Sequence, residues 1–395
     1  MHPHYDLIII GLGAMGSAAL YQAAQRGVSV LGIDRYDPPH TFGSSHAETR
    51  ITRLALGEGA QYMPLVARSN DIWRELEAAT GEVLLYLNGG LIITSPGSEA
   101  IFRGQVEDFA VITQKIAAAH GIDHTMLSGA EVRKRYPHIL ARDSEHAYYE
   151  PTGGFVLSEK AVAIQLAEAQ KRGAAARLNE PVTGVDWSAD CVTVTTATGT
   201  FVADRAIVTT GAWISDFVPQ QKRRHFPVYR QVVYWFEVED PAVFSIDRWP
   251  FVMWIGDTTE AFYTSFAMLQ DGVPGLKMVT EQHHTPCDPD TVVRDITEDE
   301  IAYFYETLAS DKLAGIKRNC LAAEACLYTV TADEHFVIDW HPDSDRVMLA
   351  SPCSGHGFKH SAAIGEALVQ MALDGASQFS MAPFAFNRLN ESGSS

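Results

Sequence analysis

Three glycines at fixed offsets, Gly11-Leu-Gly13-Ala-Met-Gly16, constrain the start of this chain more than any other feature. Before them lies Tyr5–Ile10, an apolar run whose three consecutive isoleucines suit a strand buried on both faces. After them lies Ala14–Arg26, a proline-free mixture of Ala, Leu and Gln that predicts a helix closed by Gly27. Val28–Ile33 supplies a second strand, so the opening reads as a βαβ unit. In that setting Gly11 permits a tight turn, Gly13 lets backbone approach a pyrophosphate, and Gly16 lets the helix pack on the strand. The helix N-terminus then offers N–H groups and a positive dipole end to phosphates. Asp34 ends the second strand near the ~20-residue offset at which an acid accepts hydrogen bonds from a ribose diol. An acid there argues against a 2′-phosphate and leaves NAD or FAD.

Charge and composition narrow the partners. Thirty Lys plus Arg against 49 Asp plus Glu give a formal charge of −19, and no basic run exceeds Lys222-Arg223-Arg224. Such a chain repels a phosphate backbone or an anionic bilayer, so neither nucleic acid nor membrane is an expected partner. The apolar run Leu7–Leu20 follows Asp6 with no Lys or Arg before it, unlike a secretory signal, and no stretch of about 18 uncharged apolar residues occurs. Five cysteines without paired spacing describe neither a disulfide framework nor a zinc site, which favours a cytoplasmic protein. Cys191, Cys287, Cys320 and Cys353 are expected as small buried apolar residues. His283-His284 and His335…His341 lack metal-ligand spacing and no GxSxG elbow occurs, so no metal site and no acyl-transfer site are expected.

Along the chain, helices are predicted over Tyr62–Thr80, Val106–His120 and Ser361–Asp374, and short strands over Glu82–Pro96. The segment 190–211 alternates as a hairpin and continues into a buried strand, Arg205–Thr210. Val228–Val238 and Phe251–Ile255 are β-rich and aromatic, and Arg346–Ser351 is a further strand. Nucleotide signatures therefore alternate with β-rich stretches, which predicts two interleaved domains.

Several separated motifs carry a resemblance over nearly the whole chain. Gly43-Ser-Ser-His-Ala-Glu-Thr-Arg-Ile-Thr-Arg53, Tyr229-Arg-Gln-Val-Val233, Cys326-Leu-Tyr-Thr329 with Asp333-Glu-His-Phe-Val-Ile-Asp339, and Ser354-Gly-His-Gly-Phe-Lys359 follow one another in the order found in the monomeric sarcosine oxidase and N-methyltryptophan oxidase family. Thr210-Gly-Ala-Trp213 and the opening βαβ unit agree. The resemblance implies an α/β flavoprotein of two domains. A Rossmann-like FAD-binding domain (1–85, 150–215 and 322–395) would be interleaved with a β-rich substrate domain (86–149 and 216–321). It implies an FAD-dependent, monomeric oxidase of secondary amino acids, sarcosine or another N-methyl amino acid, with O2 as acceptor. The residue-level alternatives are a flavin dehydrogenase, an oxidase of cyclic or glycated amines, and a nicotinamide-dependent reductase.

Carried over residue by residue, the resemblance implies a flavin bonded through sulfur to Cys326. Arg53 and Lys359 would hold the substrate carboxylate, the first as a planar fork and the second as a point charge. Ser45, His46, Thr49 and Arg50 would line the flavin, with Gly211, Trp213, Gly355 and Gly357, and Val182 would offer backbone to adenine. Lys277, in Gly275-Leu-Lys277 before Asp288-Pro-Asp290, matches the lysine that activates oxygen; a fixed ammonium stabilises the anion made by the first electron transfer. Tyr263, Tyr328 and Met253 match pocket-lining positions, and the stretch from Tyr263 to Lys277 is somewhat longer than in the family. One position departs from the pattern. Four residues after the lysine the family has a histidine, whereas this chain has Glu281, with His283 and His284 nearby.

Overall fold

Burial of the runs just described produces two large sheets. The computed structural model describes residues 4–95, 107–258 and 261–390. In the first sheet His4–Ile10 lies parallel between Val30–Ile33 and Thr200–Val208, and Ala175–Arg177 extends it beside Val30–Ile33. Val347–Ser351 adds in parallel to the end of Thr200–Val208, while the hairpin partners Val182–Trp187 and Val192–Thr196 join antiparallel. Helices Ala14–Gln25, Ser158–Lys171 and Ser361–Asp374 pack together over this sheet, burying Leu20, Leu166 and Leu368 with Leu7 and Ile9 beneath them. The opposite face, with Ile8, Ile10, Leu31 and Ile33, is buried with Ile214, Val218, Phe226 and Phe386, so both strand faces are covered as continuous apolar runs require.

The second sheet is mainly antiparallel and runs from Thr125–Ser128 to Pro286–Cys287. Its centre holds Gly90–Thr94, Phe251–Ile255, Phe262–Ser265, Leu276–Val279 and Val228–Val238, with Ile316–Thr329 pairing along nearly all of Val228–Val238. Its core is aromatic, with Trp254, Phe236, Phe251 and Phe304 fully buried. Ile316–Thr329 lies in this sheet on both sides of residue 322, so Cys326 and Tyr328 hang from the β-rich layer. A third, small sheet of Thr49–Thr52, Gly154–Leu157 and Leu85–Tyr86 carries Thr49 and Arg50.

The helix Ser361–Asp374 has the predicted span, and Tyr62–Thr80 resolves into a 3₁₀ turn, Ala60–Tyr62, followed by the helix Met63–Thr80. The helix expected over Val106–His120 runs Phe109–Ala119, started by Asp108, whose carboxylate accepts the N–H groups of Ala110 and Val111; Val106 and Pro96 lie outside the described residues. Within Glu82–Pro96 the strands are Leu85–Tyr86 and Gly90–Thr94. Among the described residues no helix is long and apolar enough to cross a membrane.

Candidate active site

The turn after the first strand builds one end of a large cavity. Gly11 has φ of +88°, and a Cβ there would sit 2.7 Å from the Thr209 carbonyl oxygen. A Cβ on Gly16 would sit 1.7 Å from the Gly11 carbonyl oxygen, so the helix reaches its place only with glycine at this position. Asp34 accepts the N–H groups of Leu12 (2.6 Å) and Tyr36 (2.8 Å). Burial pushes its carboxyl up, opposed by those two donors. Across the opening, Asp290 accepts from Trp213 Nε1 (2.8 Å) and Arg35 (3.0 Å), tying the loop after Cys287 to the nucleotide-like end.

The cavity holds about 710 Å³ and runs from Gly11, Gly13, Asp34 and Val182, past Ser45, Thr49, Arg50, Gly211, Trp213, Gly355 and Gly357, to Cys326, Tyr328, Met253, Glu281 and Lys359. Its volume and its lining, from the glycine turn to Cys326, suit a dinucleotide such as FAD, and one further detail points to a bound ligand. Thr210 Oγ1 lies buried on its wall without a hydrogen-bond partner among the described residues, as a group awaiting a ligand would.

At this wall, sulfur and cations converge. Cys326 Sγ lies 3.3 Å from His46 Nε2 and 3.7 Å from an Arg50 nitrogen. Burial pushes the thiol up, but His46, Arg50 and Lys277 outweigh it, and the net shift is downward. Burial likewise opposes charge on His46, yet Cys326 and Glu324 raise it to about 9, with Glu324 2.9 Å from Nδ1. Glu324 and Cys326, two apart on one strand, share a face. The loop Ala47-Glu48 has φ of +68° and +69°, a left-handed conformation costly for non-glycine residues. It turns the Ala47 carbonyl onto Lys277 Nζ, which also donates to Thr49 O (2.7 Å) and Oγ1 (2.9 Å). Burial, helped by Arg50, lowers Lys277 to about 7. His46 and Lys277 therefore stand behind the cavity's surface.

Several expectations need correction. Arg53 is not an open fork on the cavity wall. It is fully buried, donates to both Glu58 oxygens at 2.9 Å and to the Ala55 carbonyl at 2.7 Å, and does not line the cavity. Glu58 and Lys359 do line it, with Lys359 Nζ 4.0 Å from Glu58 and 2.6 Å from the His356 carbonyl oxygen. Tyr263 points away altogether. Its neighbours Phe262 and Thr264 face the cavity, and strand alternation sends Tyr263 to the opposite side, against Trp254. Its hydroxyl has no partner among the described residues, and burial holds its pKa well above the ordinary value. His283 pairs with Glu334 at 3.4 Å, His284 is exposed, and neither lines the cavity. The four cysteines expected to be buried are half-buried, and Cys353 lines the cavity.

Sequence reasoning missed Glu58, Glu324, Phe262 and Thr264. For Glu324 the two-residue spacing from Cys326 was the available signal; Glu58 is joined to Arg53 by a loop that no periodicity reveals.

A family model described as FAD dependent oxidoreductase matches residues 6–371. The chain is 37% identical over 395 residues to a monomeric sarcosine oxidase of Bacillus sp. (strain B-0618), covering 98% of this chain and 97% of that one. It is 33% identical over 387 residues to an N-methyl-L-tryptophan oxidase of Yersinia pestis (strain Pestoides F), covering 97% and 99%. Among solved structures, NikD, an unusual amino acid oxidase essential for nikkomycin biosynthesis, matches with a TM-score of 0.81 at 18% identity, covering 97% of each chain. Glycine oxidase from Geobacillus kaustophilus matches at 0.75 and 16%, covering 98% and 99%. These two likenesses speak for the fold.

Proposed function

Because the chain belongs to the FAD dependent oxidoreductase family, we propose that it oxidises the C–N bond of a secondary amino acid. Sarcosine or another N-methyl amino acid would yield an aldehyde and a primary amino acid, with O2 reduced to hydrogen peroxide. The observation that carries this reading is the layout of one cavity: a dinucleotide turn at one end, Cys326 on its wall, and Lys359 with the Arg53–Glu58 pair beside it.

Bound FAD supplies a ring that takes two electrons from the substrate and passes them to O2. Asp34 would accept from the ribose, Gly11 and Gly13 would admit the pyrophosphate, and Val182 would offer backbone to adenine. Ser45, Thr49, Arg50, Gly211, Trp213, Gly355 and Gly357 enclose the rest. Cys326, whose thiol His46 and Arg50 shift towards thiolate, would hold the flavin through its sulfur. Lys359 would supply positive charge to the substrate carboxylate from the wall, and Arg53 would join it by exchanging its Glu58 partner for that carboxylate. The same cations favour the neutral form of the bound amine, which keeps its lone pair available. Lys277, when protonated, would place an ammonium near Cys326 that stabilises charge developing on oxygen. Residues 1–85, 150–215 and 322–395 would serve the cofactor, and 86–149 and 216–321 the substrate, in a protein acting as a monomer.

The test is aerobic incubation of the purified yellow protein with sarcosine, other N-methyl amino acids and cyclic amino acids. One peroxide and one aldehyde per N-methyl group oxidised are expected. Turnover with an artificial electron acceptor but no peroxide in air would replace the oxidase reading with a dehydrogenase.

A further inference from the structure

Cys326 sits where burial alone would silence it. Its side chain packs with Ala47, Val233 and Trp235, surroundings that favour a neutral thiol. Burial does push up the thiols of Cys287 and Cys320. At Cys326 two groups in series counter it. His46 lies with Nε2 3.3 Å and Nδ1 3.9 Å from Sγ, and Nδ1 is 2.9 Å from Glu324 Oε2. With the Nδ1 proton donated to the carboxylate, Nε2 keeps its lone pair for the thiol.

The placement is held on both sides. Glu324 and Cys326 share one face of Ile316–Thr329, where they pair with Val233 and Gln231 of the neighbouring strand. The loop carrying His46 is tied to the same strand: Leu327 N–H donates to the Gly43 carbonyl (3.3 Å), and Ser44 Oγ donates to the Leu327 carbonyl. The His46 side chain is 1% exposed and that of Glu324 40%, so the carboxylate links a buried ring to solvent and gives the thiol proton a way out.

The surrounding charges show what a carboxylate does here. Arg50 and Lys277 face the sulfur, His40 lies near His46, and the Tyr328 phenol lies near Cys326. Glu159 acts on both Arg50 and Lys277, and Glu48 on Lys277. Arg50 opposes a second positive charge on His46, and Glu324 offsets that opposition from the far side of the ring. Without it the imidazole gives up its proton more readily, and the thiolate loses the charge of its closest partner. Nucleophile, base and orienting acid in this order form the arrangement that activates side-chain nucleophiles generally.

We infer that Glu324 is a positioning residue: it holds His46 charged against Cys326 and so makes this sulfur the nucleophile that bonds to flavin. The inference rests on the reading that Cys326 carries FAD. In forming that bond the thiol S–H and one C–H of the cofactor give way to S–C, and the two protons and two electrons released end on O2 as hydrogen peroxide. His46 takes the thiol proton, and Glu324 balances the charge it brings.

The test reads the sulfur first. The full-length chain is prepared flavin-free from riboflavin-starved cells, its fold is checked by circular dichroism, and it is alkylated with iodoacetamide across pH. Peptide mass spectrometry follows Cys326, whose sulfur gains carbon as iodide leaves. Glu324→Gln keeps the shape and still accepts the Nδ1 proton, so only charge is lost. Alkylation at pH 7 slows about tenfold and its midpoint rises by about one pH unit, which a merely structural role would not cause. In a His46→Ala background Glu324 is only a like charge near the sulfur, and Glu324→Gln leaves the rate unchanged or raises it. Attachment is read in protein from flavin-replete cells, isolated at intervals after induction: the fraction of flavin kept by the chain through acid precipitation rises about tenfold more slowly in Glu324→Gln. An alkylation profile that this variant leaves in place overturns the inference. So does an equal loss with and without His46, or an equal rate of attachment. Failure of the Cys326–flavin reading is distinguishable: the unsubstituted protein would then lose all its colour to the supernatant, whereas the alkylation profiles involve no flavin.

Discussion

Replacing Tyr263 by Phe separates the structural reading of this position from the one the sequence invited. The side chain is fully buried, faces Trp254 across the sheet from the cavity, and leaves its hydroxyl unpartnered among the described residues. An unsatisfied buried hydroxyl costs about 1–3 kcal/mol, and its removal leaves a gap no larger than an oxygen atom. The expected net effect is stabilisation of about 1 kcal/mol. At an unfolding entropy of about 2 cal/mol/K per residue, that is a rise in Tm of about 1 °C for a chain of this length unfolding as one unit. The assays are thermal unfolding of the flavin-loaded protein and peroxide release with its best amine, and kcat/KM is expected to stay within about twofold. A group donating or accepting a proton at the reacting atoms contributes about a hundredfold or more. A loss of that size, with flavin content unchanged, would refute the strand-register argument.

Four further outcomes follow from the same geometry. Cys326→Ala releases flavin into the supernatant on acid precipitation, whereas the unsubstituted protein keeps it in the pellet; colour left wholly in the supernatant by the latter excludes a sulfur bond. The rate of flavin attachment on reconstitution rises with pH as the thiolate forms, and levels off below the ordinary thiol range because His46 and Arg50 lower Cys326; His46→Ala moves that plateau to higher pH, and identical profiles would count against the pairing. Lys277→Met leaves anaerobic flavin reduction intact but slows reoxidation by air by orders of magnitude, and unchanged reoxidation removes oxygen activation from this residue. Gly16→Ala, whose Cβ would overlap the Gly11 carbonyl, loses FAD or fails to fold, as read by flavin content and circular dichroism; full flavin occupancy would contradict the close approach.

What was legible in the sequence was what local sterics and spacing encode. The Gly11–Gly16 turn, Asp34 at a strand end and the apolar runs on either side each depend on neighbours within a few tens of residues. The grouping of His46, Arg50 and Lys277 around Cys326 depends on contacts between distant segments, and only the family resemblance pointed to it. Tyr263 shows how fine the limit is. One residue of register in a strand reverses every side chain, and the lengthened stretch towards Lys277 removed the reference from which that register is counted. Arg53 was read incompletely for another reason. Its type was compatible with carboxylate binding, but its partner, Glu58, comes from a loop whose path is set by packing rather than by periodicity.

The account's central claim is that one cavity joins oxidation of a secondary amino acid to reduction of oxygen. Anaerobic titration of the flavin-loaded protein with its best N-methyl amino acid tests this most directly. One equivalent of amine is predicted to bleach the flavin, and admitted air to restore its colour with release of one equivalent of peroxide. A flavin that no secondary amino acid bleaches, or one that stays bleached in air, would contradict the claim.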